Sequence, residues 1–143
     1  MRNIVALVDL DDESFWRKVL RAAIDNARQT GARLHVLNVV PDGMFKMTIV
    51  AQLIPADYER RAADDAKQRR ASVIGEYATA DIQLDPVVRF GSPYKEALEF
   101  ARDVDADLIL VGAHRPVLKD YHLGPNAGRI VNHATCSVLV VRD

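Results

Sequence analysis

Residues 107–142 read DLILVGAHRPVLKDYHLGPNAGRIVNHATCSVLVVR, and their order of apolar runs and turns decides the fold. An apolar run at 108–111 ends on Gly112. A polar loop then carries His114, Arg115 and Pro116 and continues to Gly124, Pro125 and Asn126. A short helical pattern covers 126–134, and a second apolar run covers 138–141. Strand, glycine-punctuated loop, helix and strand is how α/β proteins build an anion or nucleotide site. Glycine lets backbone approach a ligand, and a helix start offers unpaired N–H groups. The chain has neither the P-loop Lys-Ser/Thr spacing nor a G-x-G-x-x-G at the start of its first helix.

The same alternation runs through the rest of the chain. Residues 3–8 form a continuous apolar run, typical of a strand covered on both faces, and Asp9 closes it. The acidic turn 9–14 opens a helix to about Thr30, with carboxylates at its positive end. Phe15, Val19, Leu20, Ala23 and Ala27 supply its apolar stripe, and Gly31 stops it. Residues 34–40 make a second strand, ended by Pro41, Asp42 and Gly43.

A long helix is expected over 55–77, with Tyr58, Ala62, Ala66, Val73 and Tyr77 facing inward. Asp57–Arg61 and Asp65–Arg69 are pairs one turn apart, each contributing ~0.2–0.5 kcal/mol. Arg60, Arg61, Arg69 and Arg70 are interleaved with acids, the pattern of a solvated face rather than a phosphate site. The third strand, 82–90, contains Pro86, which cannot donate to a ladder and therefore belongs at a sheet edge. Ser92 as N-cap and Pro93 at the first position start the next helix, whose buried face is Tyr94, Ala97, Leu98 and Ala101. The apolar segment 44–54 fits a lid over a pocket, a partner-binding flap, or an irregular stretch packed on the sheet edge, the last being the commoner use.

Such alternation argues an α/β fold, an open parallel sheet with right-handed crossovers and helices on both faces. A chain of 143 residues makes one domain, able to bury a core without disulfides or metal. Hydrophobic residues at 49% and charged residues at 27% match a soluble globular protein. With 19 basic and 20 acidic residues, the net charge of −1 draws the chain to neither nucleic acid nor membrane. The single Cys136 excludes an intrachain disulfide and suits a reducing compartment. Asp9 cuts the first apolar run too short for a signal peptide's core or a bilayer span, so a cytoplasmic protein is expected.

These residues resemble the universal stress protein family. In its nucleotide-binding members a G-x2-G-x9-G-S/T signature precedes the last helix and strand. Gly112 and Gly124 match the first and third glycines. Arg115 stands at the second, eight residues follow it before Gly124, and Pro125 takes the Ser/Thr place. The wording AHRP…YHLGPNA is similar to the SHRP…LGSNA of an ATP-binding branch, and the resemblance extends to Asp9 and to Gly91, Ser92 and Pro93. It implies a five-stranded Rossmann-like sheet of the adenine nucleotide alpha hydrolase kind, in order 3-2-1-4-5. It also implies ATP or AMP, with or without Mg, in the crevice between strands one and four, where the winding reverses.

Each candidate residue has a bland reading beside the functional one. Asp9 could accept a ribose hydroxyl or help hold a divalent ion, or it ends a strand and caps a helix. Gly112 and Gly124 could admit phosphate, or serve as turns. Arg115 offers a charge-assisted fork to phosphate, Lys119 a weaker contact and His114 a second-tier one; all three also suit a solvent-facing loop. Val39 and Val40 are adenine contacts by resemblance and core residues otherwise. Pro125 has no N–H or hydroxyl, and Asn126 compensates in part. Losing two donors costs ~1–3 kcal/mol, or roughly ten- to a hundredfold in affinity.

The remaining chemistry-bearing residues point nowhere else. His35, His114, His122 and His133 lack metal-ligand spacing, and His133 with Cys136 has no third partner. An acid–base pair of Asp9 and His114 has little support. With no general base or nucleophile in a convincing setting, an efficient enzyme is not expected; slow nucleotide hydrolysis stays open. Strand 138–141 carries no proline or charge, so its open edge invites antiparallel pairing with a second copy as a homodimer, unless a loop or helix covers it. The sequence thus reads as a stress-linked adenine-nucleotide module. The second reading is a family member that binds no nucleotide and acts through dimerisation or a partner protein.

Overall fold

Strand β1 (Asn3–Leu7) alternates between two hydrophobic layers, and this places it at the middle of the sheet. Ile4 and Ala6 join one core, and Val5 and Leu7 the other. The computed structural model describes residues 1–8, 15–40, 58–77, 79–113 and 125–142. The acidic turn 9–14, the 41–57 stretch with its apolar 44–54 segment and the Asp57–Arg61 pair, and the loop 114–124 lie outside the described residues.

The elements that follow are α1 (Trp16–Thr30), β2 (Arg33–Val40), α2 (Tyr58–Tyr77), β3 (Leu84–Phe90), α3 (Pro93–Asp103), β4 (Leu108–Ala113), α4 (Pro125–His133) and β5 (Ser137–Arg142). The sheet has order β3-β2-β1-β4-β5 with every pair parallel, as expected. Pro86 sits on the edge strand β3, opposite Val36, where its missing N–H breaks no ladder.

One face carries α1 and the end of α2. Trp16, Val19, Leu20, Ala23, Ile24 and Ala27 recur at helical spacing and bury against Ile4, Ala6, Leu34, Val36, Leu108 and Leu110. Gly31 ends α1 in the left-handed region at φ 71°, donating its N–H to the Ala27 carbonyl at 2.8 Å. Arg17 ties the two helices together. Its Nη1 reaches Glu76 Oε1 at 2.8 Å and the Tyr77 hydroxyl at 2.9 Å, while its guanidinium lies 4.4 Å from the Trp16 ring centre. On α2, Arg60, Arg61 and Arg69 are exposed among Asp64 and Asp65, and Arg69 pairs with Asp65 at 3.3 Å, as a solvated face should.

The other face carries α3 and α4. Ala97, Leu98, Phe100 and Ala101 of α3 meet Val5, Leu37, Val39, Ile109 and Val111, and Ala127 and Ile130 of α4 complete this core. Phe100 joins the expected stripe of α3, and Tyr94 is half-buried against the same core, with the charged groups of Arg129 and Lys95 at 4.6 Å and 6.0 Å from its ring centre. Ser92 does occupy the N-cap of α3, but its hydroxyl makes no capping bond; its carbonyl takes the Glu96 N–H at 3.0 Å.

Strand β4 runs two residues beyond the expected apolar run, so Gly112 lies inside the strand, paired with Val141. Helix α1 crosses there. A Cβ on Gly112 would lie 2.9 Å from Val19 Cγ2 and 3.1 Å from Phe15 Cδ1, with Phe15 Cε1 closer still. The glycine therefore lets α1 seat on the sheet.

Polar ties hold the opposite end of the sheet. Asp107 Oδ2 accepts the backbone N–H groups of Arg2 at 2.7 Å and Asn3 at 3.0 Å, and those bonds hold its carboxyl below the usual range. His35 is buried in β2, with Nε2 3.0 Å from Asn3 Oδ1, Nδ1 3.8 Å from Asp85 Oδ2 and its ring edge-on to Phe100. Burial lowers its pKa, against the opposing pull of Asp85.

Two outcomes follow from this packing. Gly112→Ala forces Phe15 and Val19 to shift, and urea unfolding should show a loss of about 1–3 kcal/mol. For His35, a folded pKa below the ordinary value means the unfolded chain takes up the proton first as pH drops. Its contribution is complete above about pH 6.5 and is lost as pH falls from there toward the folded pKa. Unfolding midpoints measured from about pH 8 down to about pH 5 should decline, and His35→Gln should flatten that decline.

Candidate functional site

All strands are parallel, so their C-terminal ends share one rim, and α1, α3 and α4 start from it. The chain winds from β1 through β2 to β3 on one side, then returns to place β4 on the other side of β1. Crossovers that leave in opposite directions open a crevice at the rim, the favoured ligand position in such sheets.

Val39 and Val40 end β2 at this rim and play different parts. Val39 sends its side chain into the core shared with α3. Pairing with β1 ends at Leu7 opposite Leu37, and the Leu37 carbonyl accepts the Val8 N–H at 2.9 Å. Strand alternation turns the Val39 peptide groups to that same side, beyond the paired end of β1. The Val40 carbonyl faces β3 and is taken by the Gly91 N–H at 3.0 Å. Of this pair, Val39 has the backbone turned toward the switch point.

Gly112 lies at the rim end of β4, with one side filled by Phe15 and Val19. Pro125 is the first residue of α4, where its missing N–H costs the helix nothing, and Asn126 is exposed on the same turn. Asp9, His114, Arg115, Lys119, His122 and Gly124 lie outside the described residues. The structure thus brings Val39, Gly112, Pro125 and Asn126 to one rim.

Two described residues at this end drew no attention in the sequence. Arg129, one turn into α4, stacks on Tyr94 and leaves an exposed cation between α3 and α4. Asn38 is buried near the end of β2. Its signal was present: a lone amide inside the apolar run LHVLNVV. Elsewhere, burial pushes the Cys136 thiol up, which keeps it protonated and a poor nucleophile. Among the described residues no three His, Cys, Asp or Glu side chains gather as a metal site.

Comparison with known proteins bears on this geometry. The model of the universal stress protein family matches residues 1–142. Universal stress protein G of Salmonella typhimurium is 31% identical over 144 aligned residues, covering 99% of both chains. Among solved structures, the universal stress protein UspA from Lactobacillus plantarum superposes with a TM-score of 0.73 at 26% identity, covering 99% of this chain and 97% of that one. A universal stress protein in complex with cAMP superposes with a TM-score of 0.57 at 26% identity, covering 99% and 96%. A family match over nearly the whole length, on a sheet of the expected order, shows that the chain belongs to the universal stress protein family.

Proposed function

We propose that residues 1–143 act as one adenine-nucleotide-binding module of the cytoplasmic stress response, taking ATP or AMP at the rim between β1 and β4. The observation that carries this reading is the switch point itself. The Val39 peptide groups turn toward it past the end of β1, and Gly112 and the start of α4 lie across it. Asp9, Val40, His114, Arg115, Gly124, Pro125 and Asn126 complete the proposed contacts, and a bound Mg would neutralise phosphate charge. The solved relative in complex with cAMP supports the choice of an adenine nucleotide. Among the described residues no helix is long and apolar enough to cross a membrane.

The same chain is proposed to pair with a second copy through β5. That strand ends the sheet, and Leu139 on it and Val131 on α4 are exposed hydrophobic side chains. These side chains, with the missing N–H of Pro125, also favour a second reading, in which the chain binds no nucleotide and dimerisation or partner binding is its activity.

Calorimetric titration with Mg-ATP, ADP and AMP decides between the two readings. Micromolar saturable binding that disappears in Gly124→Val supports the nucleotide module; no heat at millimolar nucleotide selects the second reading. In sedimentation velocity, Leu139→Glu should convert a dimer to monomer. A dimer unchanged by that charge lies on another surface.

A further inference from the structure

Strand β2 buries two polar side chains, His35 and Asn38. His35 is matched by Asn3 Oδ1 at 3.0 Å. Asn38 is only 6% exposed, yet its carboxamide makes no hydrogen bond with a described residue. A buried amide without a partner forfeits its hydration and gains nothing in return, so such a group calls for an explanation. Its neighbours on the sheet supply no partner. Alternation puts it on the face of Leu34 and Val36, opposite Val88 of β3 and next to the Val8 end of β1. A leucine of similar volume would suit those neighbours better.

The position of Asn38 indicates what its amide is for. It immediately precedes Val39, whose peptide groups turn toward the proposed ligand, and lies two residues from the end of β2. We infer that Asn38 is the base-reading residue of the site, its carboxamide pairing with the N6–N7 edge of adenine. The inference rests on the nucleotide reading above. A carboxamide sets one acceptor beside one donor. Adenine answers with the N6 amino donor beside the N7 acceptor, a bidentate match. Hypoxanthine and guanine present O6 and N7 there, two acceptors, which one amide cannot satisfy together. The apolar setting sharpens the choice, because a mismatched base leaves a buried polar group unpaired.

Titration of the whole protein and of Asn38→Leu with AMP and with IMP, alongside thermal unfolding of both proteins without ligand, tests this. The wild type should prefer AMP to IMP by about tenfold or more. Asn38→Leu should lose about tenfold in AMP affinity and keep its IMP affinity, bringing the ratio near one. Its ligand-free melting temperature should equal or exceed that of the wild type, since an amide with no partner among the described residues has gone. A lower melting temperature, or failure to fold, would place the amide's partner within the chain and overturn the inference. So would an unchanged AMP-to-IMP ratio, or a wild type that binds both equally. A wild type that binds neither nucleotide removes the nucleotide reading itself, and this inference with it.

Discussion

Burial of β1 on both faces is the constraint from which the rest of the architecture follows. Five residues in alternation feed two cores, so each face needs its own helix layer, and neither can be left to water. Parallel neighbours need crossover helices, and α1 and α3 serve as both connection and cover. Once β1 is central, β2 and β4 flank it and the winding reverses between them. The crevice at the rim is a by-product of that reversal. Structure and candidate site therefore share one cause.

The seating of α1 shows how closely the two are coupled. By sequence Gly112 could admit phosphate, and in the structure it admits Phe15 and Val19. A glycine has two hydrogens on its Cα, so packing on one side does not exclude close approach on the other. The position is still under structural demand before any ligand is considered. The same holds at Pro125, which suits the first turn of α4 while withholding an N–H from whatever lies above it.

Polar side chains in the sheet divide by position. At the N-terminal ends of the strands, Asp107, Asn3, His35 and Asp85 serve one another, pinning the start of β1 to β4 and filling the space beneath Phe100. Toward the C-terminal rim, Asn38 has no such company among the described residues. Structural polar groups find partners inside the fold. A polar group that finds none, near the rim where α/β sheets hold ligands, is better read as part of recognition.

Much of this protein could be read from the chain, because the signals were local or repetitive. Apolar runs at 3–8 and 108–111 mark strands, Gly31 marks a helix stop, and Pro86 marks a sheet edge, since its effects act within one residue of itself. The resemblance at 112–126 supplied the strand order, and the family match agrees with it. The tertiary structure decided what depends on neighbours distant in sequence. Val39 and Val40 look alike in sequence, yet strand pairing gives one carbonyl to Gly91 and turns the other residue's peptide groups to the switch point. Tyr94 packs on the core only in part, with Arg129 of a later helix over its ring, while Phe100 of the same helix is buried. That the Asn38 amide has no partner among the described residues likewise became visible only with β1 and β3 set on either side, since hydrogen bonding is a property of a surrounding and not of a residue type.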